Sequence, residues 1–325
     1  MQRRTFIAGL GSAAAWPLAA RGQQGGRMRR VGVLMGFEEN DLEAKAFLSA
    51  FTQSLAELSW IDGRNVRIDV RWAAGSVDRA RMFAKELVDL QPDVIFVSTG
   101  AATAAVQRET RTIPIVFAFA NGFDAGLPQP GANITGFIGP QASLADKWLE
   151  LLTEIAPGIN RVAIMFNPDT AIGGGSYFLP PLEAAARSLK AEPIAAPVHS
   201  DAEIETVMTS LGREPGGGLV IMPGSFMVVH RAAIISLAAR NNVPAVYFLS
   251  IFSKDGGLLS YGVDNRDVYR RAARYVDSIL RSAKPSDLPI QPPSKFEMFL
   301  NAKTAKALGL TVPPSIRQHA DEVFE

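Results

Sequence analysis

The run IPIVFAF, residues 113 to 119, is echoed almost position for position by VPAVYFL, residues 243 to 249. Each is a short, unbroken apolar run rich in β-branched and aromatic residues, the pattern of a strand covered on both faces of a sheet. Upstream of the first copy lie a buried strand RRVGVLMG (29–36), an amphipathic helix DLEAKAFLSAFTQSLAELSW (41–60) and an alternating strand VRIDVRWA (66–73) after the turn IDGRN. A helix around 78–90, the strand DVIFVS (93–98) and a helix from Ala101 follow. Upstream of the second copy the order recurs: strand RVAIMFNP (161–168), helix over 178–190, strand EPIAAPV (192–198), helix from Asp201, strand GLVIMPG (218–224) and helix over 228–241. Corresponding strands are offset by about 125 to 130 residues, a period that marks two similar units. Strand–helix alternation is βαβ wiring, which calls for parallel strands with helices on both faces. The fold class is therefore α/β, with two similar doubly wound parallel-sheet lobes. One continuous sheet would need about ten strands, and Pro128, Pro130, Gly131 and the short run TGFIGP separate the halves.

The tail adds a strand GLLSYGVD (257–264), a helix VYRRAARYVDSILRSA (268–283) and a strand-helix pair SKFEMFLNAKTAKALG (294–309). If that helix returns to the first lobe and the last pair to the second, the chain crosses three times, near 136–140, 260–265 and 285–292. The expected lobes are then 29–138 with 263–286, and 139–262 with 287–325. A cleft with a multi-strand hinge between them is the usual place for a small ligand.

The start, QRRTFIAGL at 2–10, has the layout of an export signal over residues 1–22: basic Arg3 and Arg4, a mildly apolar stretch and small residues near Ala20 to Gly22. Arg3 and Arg4 followed by Thr5, Phe6 and Ile7 resemble the twin-arginine signal, with an ordinary secretory peptide as the alternative. Gly9, Gly11 and Ala14 spell a nucleotide-loop pattern, but no strand precedes them. Without this segment the chain carries 30 basic and 32 acidic side chains, a balance that argues against nucleic-acid or anionic-membrane partners. There is no cysteine to form a disulfide or carry a lipid. The expectation is a soluble, monomeric protein of the periplasm.

GRNVRIDVRWA, PDVIFVSTGAATAAVQ, IPIVFAF, GGLLSYGVDNRDVYRRAARYVDSIL and FEMFLNAKTAKALGLTVPPS together resemble the periplasmic substrate-binding proteins of ABC importers, in the subgroup labelled tryptophan/tyrosine-type. The Tyr-Gly-x-Asp run at 261–264 and the Asn-x-Lys-Thr-Ala-Lys-Ala-Leu-Gly run at 301–309 are its most specific parts. The resemblance implies a type I periplasmic-binding-protein fold, and a receptor that closes on a small molecule and docks on a permease in the inner membrane. A sensor for a membrane kinase or chemoreceptor would use the same lobes, and a cleft enzyme is the remaining alternative.

Catalytic signatures are missing. His199, His230 and His319 have no metal-ligand spacing, no G-x-S-x-G elbow is present, and no phosphate-binding loop follows a strand. The chain is expected to be no enzyme and to need no cofactor or metal.

Ligands of parallel α/β lobes sit beyond the carboxyl ends of strands. There Ser98, Thr99, Gly100 and Ala101 join a strand to a helix, and their small side chains leave the amides of Gly100, Ala101 and Ala102 open to a carboxylate at the positive helix end. Ser98 or Thr99 equally serve as plain helix caps. Asn167, Ser225 and Phe226 occupy matching positions in the second lobe, as hydrogen-bonding and stacking groups or as turn residues. Tyr247 ends a strand and belongs to cleft or core. Tyr261 and Asp264 lie in the hinge crossing at 260–265, where Asp264 anchors an ammonium or caps the next helix. Asn121 follows IPIVFAF. Members of the resembled family commonly carry an Asp-Pro pair there in a longer loop, whereas this chain has Asn121-Gly122-Phe123-Asp124. With Gly122 in the aspartate's place, an aromatic or apolar carboxylate without an amine becomes as plausible as an amino acid.

Overall fold

Apolar runs that alternate with capped amphipathic helices build two sheets. The computed structural model describes residues 27–120 and 133–325. The export segment, Asn121, Gly122, Pro128, Pro130 and Gly131 lie outside the described residues.

The first sheet has five parallel strands in the order β2-β1-β3-β4-β5: β1 (Arg29–Met35), β2 (Val66–Trp72), β3 (Val94–Val97), β4 (Ile115–Ala118) and β5 (Ile134–Phe137). Helices α1 (Leu42–Glu57), α2 (Val77–Asp89) and α3 (Gly100–Glu109) cover its faces. Asp41 starts α1 by accepting from the Ala44 N–H at 2.8 Å. The buried stripe of Ala44, Phe47, Phe51 and Leu55 then turns one face of that helix to the core.

The second sheet has seven strands in the order β12-β11-β10-β9-β8-β6-β7. These are β6 (Arg161–Phe166), β7 (Glu192–Pro197), β8 (Gly217–Ile221), β9 (Ala245–Tyr247), β10 (Leu259–Val263), β11 (Phe296–Asn301) and β12 (Glu322–Phe324). Its helices are α4 (Leu144–Ile155), α5 (Leu179–Ser188), α6 (Asp201–Gly212), α7 (Ser225–Val229), α8 (Arg231–Arg240) and α9 (Ser250–Lys254). After α10 (Asn265–Leu280) come α11 (Ala302–Ala307) and α12 (Pro314–His319).

Four features differ from the expectation. TGFIGP is no mere connection: it contributes to β5, which pairs with β4 from Ile115↔Ile134 to Ala118↔Phe137. Gly136 permits this, because a Cβ there would lie 2.1 Å from the Phe117 carbonyl oxygen. The helix expected over 228–241 is split at His230 into α7 and α8. The short β12 was not foreseen, and β11 runs antiparallel to β10 in an otherwise parallel sheet. That reversal follows from the route of the chain, which leaves the second sheet at the end of β10, packs α10 against α1, β3 and β4, and re-enters from the same side.

The crossings lie side by side. The Ile138 N–H donates to the Gln291 carbonyl and the Gln291 N–H to that of Gly136, both at 3.0 Å, while the Asp264 N–H donates to the Lys295 carbonyl at 3.1 Å. The apolar face of α10 is buried on the first sheet through Val268, Tyr269, Ala272, Ala273 and Val276.

Candidate ligand-binding site

The carboxyl ends of the two sheets face each other, and between them lies a cavity of about 320 Å³ walled by both lobes and the hinge. In the first lobe the wall begins where β3 gives way to α3. Ser98 Oγ accepts from the Gly36 N–H at 2.8 Å, and the Ser98 N–H donates to the Leu34 carbonyl at 3.1 Å. Tyr269 reaches the same hydroxyl from α10; burial pushes its phenol well above the ordinary value, and the bond to Ser98 opposes that rise. Ser98 thus borders the cavity while its hydroxyl ties β1, β3 and α10 together. Thr99 is the N-cap of α3, its hydroxyl accepting from the Ala102 N–H at 3.3 Å. The Ala102 amide, expected to be open, is therefore capped. Those of Gly100 and Ala101 have no partner among the described residues. Gly100, Thr103, Ala104 and Gln107, at the i, i+3, i+4, i+7 spacing of one helix face, all line the cavity. Opposite them Phe119 holds a φ of 60°, a left-handed backbone rare for a bulky residue and a mark of strain at a ligand wall.

In the second lobe the residues expected to face the cavity are partly displaced by one or two positions. Asn167 is buried and spent on its own loop: Nδ2 donates to the Val198 carbonyl at 2.9 Å, and Oδ1 accepts from the Thr170 N–H and Oγ1, each at 3.0 Å. This Asx turn swings Asp169, Thr170 and Ala171 into the lining instead. Ser225, only 6% exposed, does face the cavity, and its hydroxyl has no protein partner among the described residues. Phe226 stacks on the His230 ring, centroids 4.0 Å apart, and borders a separate polar cleft of about 500 Å³. Tyr247 is core, stacked on Phe252 at 4.7 Å, and its neighbours Phe248 and Leu249 form the wall. Tyr261 points away to stack on Phe296 at 6.1 Å. Asp264 caps α10 by accepting from the Asp267 N–H at 3.0 Å, and it is Asn265, 7% exposed, that turns to the cavity without a protein partner among the described residues. Gln107, Asp169, Asn265 and Phe119 were not singled out from the sequence. Helical periodicity from Gly100 was the available signal for Gln107.

Asp169 is the one charged side chain among the described residues that line the cavity. No group of three or more His, Cys, Asp or Glu among the described residues could hold a metal ion, and no described helix is long and apolar enough to cross a membrane.

The lobes also touch directly. The turn at Gly75, φ +70°, approaches α7 so closely that a Cβ would lie 3.2 Å from Val229 and 3.4 Å from the Phe226 Cα. Arg231 at the start of α8 pairs with Asp41 of the first lobe at 2.5 Å and with Asp255 of its own at 2.7 Å. Lys254 pairs with Glu43 at 3.2 Å. The Asp41 side chain is only 7% exposed, so its pair with Arg231 is shielded and spans the two lobes. Asp41→Asn keeps the helix cap but removes the charge. It is expected to weaken ligand binding roughly tenfold and to enlarge the ligand-free radius of gyration in solution scattering. An unchanged radius with unchanged affinity would show the pair to be idle in closure.

Two α/β lobes facing each other across a partly open cavity at the strand ends are the arrangement of the type I periplasmic-binding-protein fold. Residues 30–324 match the ABC transporter substrate binding protein family, to which the chain belongs. A tyrosine-binding protein of Clostridioides difficile is 22% identical over 290 residues, spanning 87% of this chain and 82% of that protein. Among solved structures, a conserved domain protein from Vibrio cholerae superposes with a TM-score of 0.82 at 22% identity, over 91% of this chain and 100% of the other. The ABC domain from Streptococcus pneumonia in complex with L-Trp gives 0.81 at 21% identity, over 92% and 100%. The family's work is binding rather than catalysis.

Proposed function

We propose that the chain is the periplasmic receptor of an ABC importer, exported by the twin-arginine route. It takes an aromatic or apolar carboxylate, an amino acid in particular, and hands it to a permease in the inner membrane. The lobes on this reading comprise 29–138 with 263–286, and 139–262 with 287–325. One observation carries it: three polar side chains more than nine-tenths buried, Gln107, Ser225 and Asn265, converge on a mainly apolar cavity without a protein partner among the described residues. Buried polar groups are normally hydrogen-bonded, so groups arranged in this way are satisfied by what the cavity holds.

The acid end of the ligand meets the Gly100 and Ala101 amides at the positive end of α3. Ser225 stands across from them, since it borders the same small gap as Thr99 and Ala101. Asp169 supplies the negative charge for an α-amine that Gly122, in the place of the resembled family's aspartate, cannot. The names of the relatives, one tyrosine-binding and one solved with L-Trp, support an aromatic amino acid.

Calorimetry of the mature protein with L-tyrosine, L-tryptophan and L-phenylalanine, and with the same compounds lacking either amine or carboxylate, tests this. Loss of the carboxylate is expected to cost the most. Asp169→Asn is expected to weaken the amino acids roughly tenfold and leave the deaminated acids unchanged. Absence of binding to any member of the panel would sink the assignment.

A further inference from the structure

Gln107 is unlike the other polar residues of the first lobe's wall. Thr99 spends its hydroxyl on the Ala102 amide and Thr103 donates to the Thr99 carbonyl at 2.8 Å. The Gln107 side chain, 8% exposed, has neither a donor nor an acceptor partner among the described residues, yet it lines the cavity. A buried primary amide has two N–H donors and a carbonyl acceptor to satisfy. Its neighbours toward the helix start on the same face, Ala104, Thr103 and Gly100, offer little bulk. Small residues there leave a lane along α3 from the open amides to Gln107.

The geometry of that lane sets the size of what lies in it. Seven residues of helix separate Gly100 from Gln107, a rise of about 10 Å. Long helical side chains lean back toward the N-terminus, which shortens the gap between the amides and the Gln107 head group. A span of no more than about 10 Å is of the length of one ring system carrying a carboxylate at one end. A purely hydrocarbon ring tip would leave the glutamine amide buried without a partner, which is unfavourable.

We propose that Gln107 is the specificity residue of the cavity, selecting an aromatic carboxylate whose ring bears its own hydrogen-bonding group, a phenol-type hydroxyl or an indole-type N–H. This rests on the receptor reading above and adds to it which ring is preferred and why.

Two ligand pairs test it on the mature protein by calorimetry: L-tyrosine against L-phenylalanine, and L-tryptophan against its benzothienyl analogue, in which sulfur replaces the ring N–H. The wild-type protein is expected to prefer the hydrogen-bonding member of at least one pair by roughly ten- to a hundredfold. In Gln107→Leu that preference is expected to collapse towards unity, through weaker binding of the polar member and equal or tighter binding of the apolar one. Gln107→Met, a more adaptable apolar replacement, serves if the leucine variant does not fold. Full discrimination retained in a folded variant overturns the role of Gln107 while leaving the receptor assignment intact. The same holds if the wild type binds both members of each pair equally. If neither pair binds the wild type, the role of Gln107 falls, and the receptor reading falls with it only if the deaminated acids also fail to bind.

Discussion

Gly262→Ala is expected to lower the melting temperature by roughly 6 to 12 °C, corresponding to about 3 kcal/mol in lobes of this size. The glycine sits in β10, in the Tyr-Gly-x-Asp run, and a Cβ there would lie 1.9 Å from the Phe248 carbonyl oxygen and 2.8 Å from its carbon. A backbone carbonyl at the end of a core strand has nowhere to turn, so the methyl group forces β10 away from the loop after β9. Phe248 belongs to the cavity wall, and the displacement is therefore felt in binding as well as in stability. Differential scanning calorimetry of the ligand-free protein reads the first effect directly. A variant that melts with the wild type would mean that the two segments separate without cost.

Gly100→Val is the complementary change, with a large effect on binding and little on folding. A Cβ at Gly100 would meet only the Ala120 Cα and the Phe119 carbonyl oxygen, both at the ordinary contact distance of 3.9 Å. Valine also suits the first turn of a helix no worse than glycine. Its branched side chain would stand where a carboxylate approaches the Gly100 and Ala101 amides. The expected loss is about 3 kcal/mol, or roughly a hundredfold in affinity for an aromatic acid, with an unaltered melting temperature before ligand is added. Binding at full strength by the folded variant would reduce the start of α3 to a helix cap and move the anchor elsewhere in the cavity.

Much of the architecture was legible because the strands of a doubly wound sheet are covered on both faces. Val94 to Val97 and Ile115 to Ala118 are buried without interruption, and such runs stand out from any helical pattern. β5 escaped notice for the opposite reason: Ile134 to Phe137 is four residues long and interrupted by a glycine whose use depends on a neighbouring strand. The antiparallel β11 depends on the path of the whole chain and leaves no local trace. At the site, the loops that border the cavity could be read from the strand ends, and Ser98 to Ala101 and Ser225 do line it, but the inward-facing residues of the loops after β6 and β10 could not be told. Asn167 looked like the hydrogen-bonding group after β6 and is consumed by its own turn, which presents Asp169 and Thr170. Asp264 caps α10 and leaves the inward position to Asn265. Gln107 lies two turns inside a helix, beyond the junction to which strand-end reasoning points.

Helix α10 has a bearing on how the protein is made. The side chains of Met35 and Tyr269 meet in the first lobe, although they stand 234 positions apart in the chain. Tyr269 also fills the space beside Phe47 and Phe96, with ring centroids 5.5 and 5.2 Å away. As the nascent chain leaves the ribosome, the strands and helices of the first lobe emerge early, but one face of their sheet is covered by α1 alone until α10, which packs beside α1, follows the whole of β6 to β10. Contacts of such long range are formed late and slowly. The usual order, in which an N-terminal unit folds to completion while the rest is still being synthesised, does not apply to this lobe. The junction of Ser98 to Ala101, among the first parts of the site to be translated, is tied through Tyr269 to a helix translated much later.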